Sequence, residues 1–271
     1  MNTKALGLIP LFVLFAGLAV FVSYFYPEQI RPPVFAFELP SPLSSAYSLL
    51  LSASALAVAY FFGRGFLRER SVGLLVLGGG SLILGLGYPL SQVLGNQPFG
   101  GPNQLIGVGR ISFLMAGLFY ATFAAISLSG RAVSSGRPKT WLALEYGAAV
   151  GLILATAIVL ETSLAPSFFK AGSGPTLLAS QVFDLTLVLF AATSIILMKS
   201  YLTARSKIIY WFTLGIASLS VAVLAGLLGR VPGGLFAWQG RFSVAIGGVY
   251  FILAIIEAFK IEKRPLSSST T

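Results

Sequence analysis

Arg110 stands a few residues inside an otherwise apolar run, "GPNQLIGVGRISFLMAGLFYATFAAISLSGR", and Arg241 opens a second run of the same layout, "AWQGRFSVAIGGVYFILAIIEAFK". A guanidinium is a planar, permanently charged fork that suits a carboxylate or a carbonyl. Placed in hydrocarbon it costs at least ~2.5–3.5 kcal/mol, so such a group is expected to face the interior of a helix bundle and to have a partner. Other polar residues fall at a similar level. Asp184 lies near the middle of its apolar run, with Gln181 one turn earlier on the same face. Tyr88 and Gln92 stand four apart near the end of theirs, Asn103 precedes Arg110, and Glu161 closes another run. We therefore expect Arg110 to point toward Asp184 or another acidic or amide group. Arg110, Asp184, Gln181, Tyr88, Gln92, Asn103 and Arg241 are the candidate ligand-binding residues of an outward-opening polar pocket for an anionic or carbonyl-bearing ligand. The competing reading of Arg110 is a buried ion pair that fixes helix register. For Arg241 and Glu161 it is an interfacial anchor. Glu145 and Glu257, near the opposite ends of their runs, are expected to reach the interface or a basic loop residue.

Other chemistries are excluded. The chain contains no Cys and no His, which removes disulfides, iron–sulfur clusters, thiolate zinc sites, His-ligated haem or copper, and imidazole bases. No two carboxylates are placed for acid–base work, so no catalytic residue, metal or cofactor is expected and the chain reads as a non-enzyme. The glycines of "VLGGGSLILGLG" lie within an apolar run rather than after a strand, which fits helix packing and not a dinucleotide loop.

The elements that must hold these residues follow from composition. Of the 271 residues, 56% are hydrophobic and 10% charged, against about a quarter charged in soluble domains. Eight apolar segments are long enough to span a membrane: Ala5–Tyr26, Leu43–Gly63, Ser71–Gly95, Leu105–Ser129, Thr140–Thr162, Pro175–Tyr201, Ile208–Gly229 and Phe242–Phe259. The first is read as a retained helix, since it lacks a small-residue cleavage pattern. Trp141, Trp211 and Trp238 mark segment ends, as in an aromatic belt.

Of the 18 Lys and Arg residues, 13 fall on one side of this arrangement, four (Arg31, Lys170, Arg230 and Arg241) on the other, and Arg110 stands apart. The richer side is cytoplasmic, which puts both termini inside. The net charge of +10 then reflects topology and anionic headgroups rather than nucleic acid. The fold expected is an all-α integral membrane protein with eight transmembrane helices over residues 1–260 and a short polar cytoplasmic tail over 261–271.

An internal repeat is also legible. At an offset of 131, Gly109, Arg110, Ser112 and Gly117 meet Gly240, Arg241, Ser243 and Gly248, and "LGGGSL" resembles "LGIASL" at an offset of 137. Residues 1–130 and 138–260 would be two four-helix repeats in parallel orientation.

The layout resembles the third class of MASE domains, the membrane-associated sensor family found ahead of kinase and cyclase modules. The resemblance covers roughly residues 41–259. It rests on "PNQLIGVGR", a loop Asn before a helix bearing an Arg, on the closing run "YFILAIIEAF", and on Asp184 as the acidic residue of the sixth helix. Where that family carries His at the end of the third helix and before the last, this chain has "GYPLSQ" and "WQGR". The resemblance implies a sensor. With the chain ending "IEKRPLSSSTT", it would be a stand-alone module binding a small ligand from the outer side of the cell membrane and signalling to a separate cytoplasmic partner. The alternative is a cofactor-free quinone-interacting or anchoring subunit of a respiratory complex, similar to the eight-helix polysulfide-reductase-type membrane subunit, with other membrane subunits as partners. A small-solute transporter ranks third, because broken helices near the midplane are not evident.

Overall fold

Backbone groups in hydrocarbon must hydrogen-bond within their own segment, and the described residues form eight helices: α1 (Thr3–Phe25), α2 (Ser41–Glu69), α3 (Val72–Gly95), α4 (Pro102–Ser129), α5 (Pro138–Glu161), α6 (Leu177–Ala204), α7 (Lys207–Leu228) and α8 (Leu235–Glu262). They are seen in a computed structural model that describes residues 3–25, 41–95, 101–129, 136–162, 165–170, 174–229 and 234–262. Arg31, Arg131, Arg230, Lys263, Arg264 and the tail from residue 263 lie outside the described residues. Among the described residues seven helices, α2–α8, are long and apolar enough to cross a membrane, so the chain is a multi-pass membrane protein. In α1 the corresponding apolar stretch among the described residues is the shorter Gly7–Val20.

Six helices close a ring in which each packs on the next: α2, α3, α4, α6, α7, α8 and back to α2. Within it α3 and α7 are the most buried. The peripheral α1 packs on α7 and α8, and the peripheral α5 packs on α3 and α4. Small residues make the close contacts, as expected where lipid supplies no hydrophobic drive. Gly87 of α3 sits so near Ser112 of α4 that a Cβ there would overlap the hydroxyl, and a Cβ at Gly215 of α7 would lie 2.5 Å from the Phe251 ring of α8. The centre is aromatic: Tyr120 meets Phe212 edge-on at 5.4 Å, and Phe212 stacks on Phe251 at 5.1 Å. The Tyr120 hydroxyl and Ser81 Oγ, 3.2 Å apart, satisfy each other inside this core.

Two contacts join parallel helices. Gly117 of α4 faces Phe190 of α6, and Gly248 of α8 faces Leu51 of α2, each with 3.2 Å from an added Cβ to its neighbour. Two tight turns also match. Arg70 after α2 and Arg205 after α6 both have φ 55°, and among the described residues they are the two non-glycine residues in the left-handed region. Each is followed by a serine at the start of the next helix. Ser206 Oγ accepts from Ile209 N at 3.5 Å, and the Ser71 carbonyl accepts from Leu74 N at 3.0 Å.

Arg64, Arg68, Arg70, Lys139, Lys199, Arg205, Lys207 and Lys260 gather at one end of the bundle, here the basic end. At the opposite end the α5–α6 connection adds a minimal hairpin, β1 (Phe169–Lys170) with β2 (Gly174–Pro175), to the all-α plan. Phe168 anchors it, buried against Val108, Leu160 and Ala179. Pro10 removes a donor within α1. Side chains of α8 reach this helix's carbonyls: the Tyr250 hydroxyl donates to Gly7 O at 2.6 Å, and Gln239 Nε2 donates to Leu14 O at 2.8 Å.

Three expectations change. α2 continues past Gly63 to Glu69, and α8 begins at Leu235 rather than Phe242, because a helix need not stop where the apolar run does. Arg241 therefore lies inside α8 instead of at its opening. Glu257 does find a basic partner, accepting from Lys260 Nζ at 2.7 Å. Glu145 instead turns inward. Its Oε1 would be 2.6 Å from a Cβ at Gly79 and, among the described residues, has no hydrogen-bond partner. The triple glycine of α3 leaves the notch that admits it.

Candidate functional site

A cavity of about 400 Å³ opens among the ring helices at the end opposite the basic one. α2 contributes Tyr47, and α3 contributes Tyr88, Ser91 and Gln92. α4 supplies Leu105, Ile106, Gly109, Arg110 and Phe113, and α6 supplies Phe183. Ala222, Val223 and Gly226 come from α7, and Ala237, Gly240, Arg241 and Val244 from α8. Volumes of this order suit small ligands.

Arg110 sits eight residues into α4, about 12 Å along its axis at 1.5 Å per residue. It lies on the helix's buried stripe with Phe113, Gly117 and Tyr120, which explains why it points inward. It is 9% exposed, and its guanidinium carbon lies 4.2 Å from the centre of the Phe183 ring. Its Nη1 is buried and, among the described residues, has no hydrogen-bond partner. Arg241 is less enclosed. Its guanidinium lies 5.0 Å from the Trp238 ring and 5.8 Å from Tyr47. Each arginine thus rests on an aromatic ring of the parallel neighbouring helix: α4 on α6, and α8 on α2.

The walls differ. The α3 wall is polar, with Tyr88 and Gln92 and with Ser91 Oγ already donating to Tyr88 O at 2.6 Å. Tyr88 stands edge-on to Phe113 at 5.6 Å and has Tyr47 as a hydrogen-bond partner. The α7 wall, by contrast, is Ala222, Val223 and Gly226. Three lining positions are glycines, and at Gly109 and Gly240 an added Cβ would meet only ordinary contacts at 3.4 and 3.5 Å. Neighbouring helices do not crowd those two glycines, whose missing side chains leave the space open.

The structure brings together four of the seven expected residues: Arg110, Arg241, Tyr88 and Gln92. The other three lie elsewhere. Asn103 Oδ1 accepts from the backbone nitrogens of Phe168 and Phe169 at 2.7 and 3.1 Å, so it holds the α5–α6 hairpin onto the start of α4. Gln181 and Asp184 are exposed on the outward face of α6. The expected Arg110–Asp184 ion pair is not formed, and the carboxylate reaches the guanidinium only by longer-range Coulombic attraction. The reason is helical phase. Buried Ala179, Thr186, Phe190 and Leu197 define the inner stripe of α6. Phe183 falls on that stripe, whereas Gln181 and Asp184 fall with exposed Leu185 and Val188.

Phe183 and Tyr47 were not legible as site residues. An aromatic residue in an apolar run carries no chemical mark, although the inner stripe of α6 picks out Phe183. In the sequence the glycines fit helix packing, and no local pattern separates a glycine that admits a neighbouring helix from one that leaves a hole. Among the described residues no group of three or more Asp or Glu is placed to hold a metal. What the arrangement can do is bind: two cations, aromatic faces and a polar wall surround one space, with no carboxylate among the described lining residues. No family model matches the chain, and neither a curated protein nor a solved structure matches it, so the chemistry of this cavity rests on its own residues.

Proposed function

We propose that this protein is a sensor-like receptor of the cell membrane that binds a small ligand from the outer side and passes the event to a cytoplasmic partner through its basic end. The observation that carries the reading is the nine-tenths buried Arg110, facing a cavity at the end away from the basic residues. The abundance of Lys and Arg at the other end supports a cytoplasmic location for that end and for both termini, with α1 as an eighth span.

Two parallel four-helix repeats form part of the proposal. Their support is that α3–α4, α2–α3 and α4–α6 have counterparts in α7–α8, α6–α7 and α8–α2, and that α5 lies on α3 and α4 as α1 lies on α7 and α8. The Arg70 and Arg205 turns, the Gly117 and Gly248 contacts, and the Arg110–Phe183 and Arg241–Tyr47 pairs agree with the same exchange. The cavity would then lie between the repeats, where movement of one against the other alters its shape.

Handling of a quinone is the second reading. It is favoured by the rings of Tyr88, Phe113 and Phe183 gathered beside one cationic donor.

Because the chain has no cysteine, single-cysteine variants give a clean test. Gln92→Cys should react with a membrane-impermeant thiol reagent in intact cells, while Thr203→Cys at the basic end should react only after permeabilisation. The reverse pattern would sink an outward-opening receptor.

A further inference from the structure

We infer that the ligand is a small organic monocarboxylate with an apolar or aromatic body, its carboxylate held in the plane of the Arg110 guanidinium. This assignment rests on the proposed ligand-binding reading of the cavity and gives it a chemical class.

The charge requirement comes from Arg110. It is 9% exposed, forms no salt bridge with a described residue, and has a buried Nη1 with no hydrogen-bond partner among the described residues. A buried cation lacking a contacting counter-charge is costly, and the described residues of the cavity lining include no Asp or Glu. A neutral carbonyl would satisfy a donor but leave the charge uncompensated. The Phe183 ring faces the guanidinium carbon at 4.2 Å, and the N–H edge of a guanidinium takes two parallel hydrogen bonds from a carboxylate.

The body requirement comes from the walls. Phe113, Phe183, Val223 and Val244 border the same space. An inorganic anion would leave these surfaces facing water while losing its own hydration. A ring or a short hydrocarbon attached to the carboxylate covers them. On the adjacent α3 wall, Tyr88 and Gln92 can meet a polar substituent of that body.

The test is thermal unfolding of the full chain in a non-ionic detergent, titrated with benzoate, with benzamide as its neutral counterpart, and with sulfate. Benzoate should raise the Tm in a saturable manner, whereas benzamide and sulfate should not. Arg110→Gln should weaken the benzoate response at least about tenfold, the scale of a lost charge-assisted pair. Gly240→Val, whose Cβ meets no atom closer than 3.5 Å and whose methyl groups take up space beside the cavity, should abolish the response and keeps the test valid if Arg110→Gln does not fold. Benzamide equal to benzoate would overturn the carboxylate class but leave the ligand-binding reading standing. A sulfate response equal to that of benzoate would overturn the requirement for an apolar body. No response to any of the three would overturn this assignment, and loss of the reading itself would show separately in the labelling of Gln92→Cys. A benzoate response unchanged in Gly240→Val would place binding outside the cavity and overturn the proposal.

Discussion

Arg110 keeps company with an aromatic ring and not with an acid. The 4.2 Å approach to Phe183 is a cation–π contact in a desolvated setting, where such pairs reach about 2 kcal/mol. Asp184 is exposed and out of contact. Double-mutant cycles on the detergent-solubilised protein separate the two partners. Arg110→Ala with Phe183→Ala should show a coupling of about 1 kcal/mol or more, whereas Arg110→Ala with Asp184→Ala should add to within about 0.5 kcal/mol. Strong coupling to Asp184 would restore the ion-pair reading. The inward aim of Arg110 was legible from its depth in an apolar run. Its partner was not, because choosing an acid by level ignores the roughly 100° step per residue that turns Asp184 outward and Phe183 inward.

At the scale of elements, glycine has two roles that look alike in the sequence. Gly87 is pressed against Ser112, whereas Gly147 on the outer face of α5 has nothing within 4 Å of an added Cβ. Gly87→Ala should lower stability by about 1–3 kcal/mol through overpacking of the α3–α4 contact, and Gly147→Ala should leave it unchanged or slightly raised through helix propensity. Thermal unfolding of the two variants side by side decides it. Equal tolerance would mean that α3 and α4 are not held at this separation. The seven spanning helices were legible because apolar length is a direct physical requirement of the bilayer. Their ends were less so: α2 runs on through Arg64 and Arg68 and α8 starts seven residues early, since hydrogen bonding within the helix continues where hydropathy has already fallen. The Asn103 contact to Phe168 and Phe169 was equally hidden. It joins segments about 65 residues apart and leaves no local pattern.

For the whole molecule, the account holds that a ring of six helices encloses, at one end, a cavity whose buried cation serves a ligand and not the fold. A residue kept for binding is retained at the expense of stability, and this separates the two roles without any ligand in hand. Arg110→Met preserves much of the side-chain volume and removes the charge. If Arg110 is kept for binding, the variant loses a buried guanidinium that has no contacting counter-charge, a cost larger than its contact with Phe183 returns, and should unfold at a higher temperature, by the equivalent of about 1–4 kcal/mol. If Arg110 is part of the scaffold that fixes helix register, the same substitution strands its partners and should lower the unfolding temperature. The measurement is the thermal unfolding midpoint of Arg110→Met against the unaltered chain in the same non-ionic detergent and without added ligand. A rise is the result the account predicts, and a fall would contradict it.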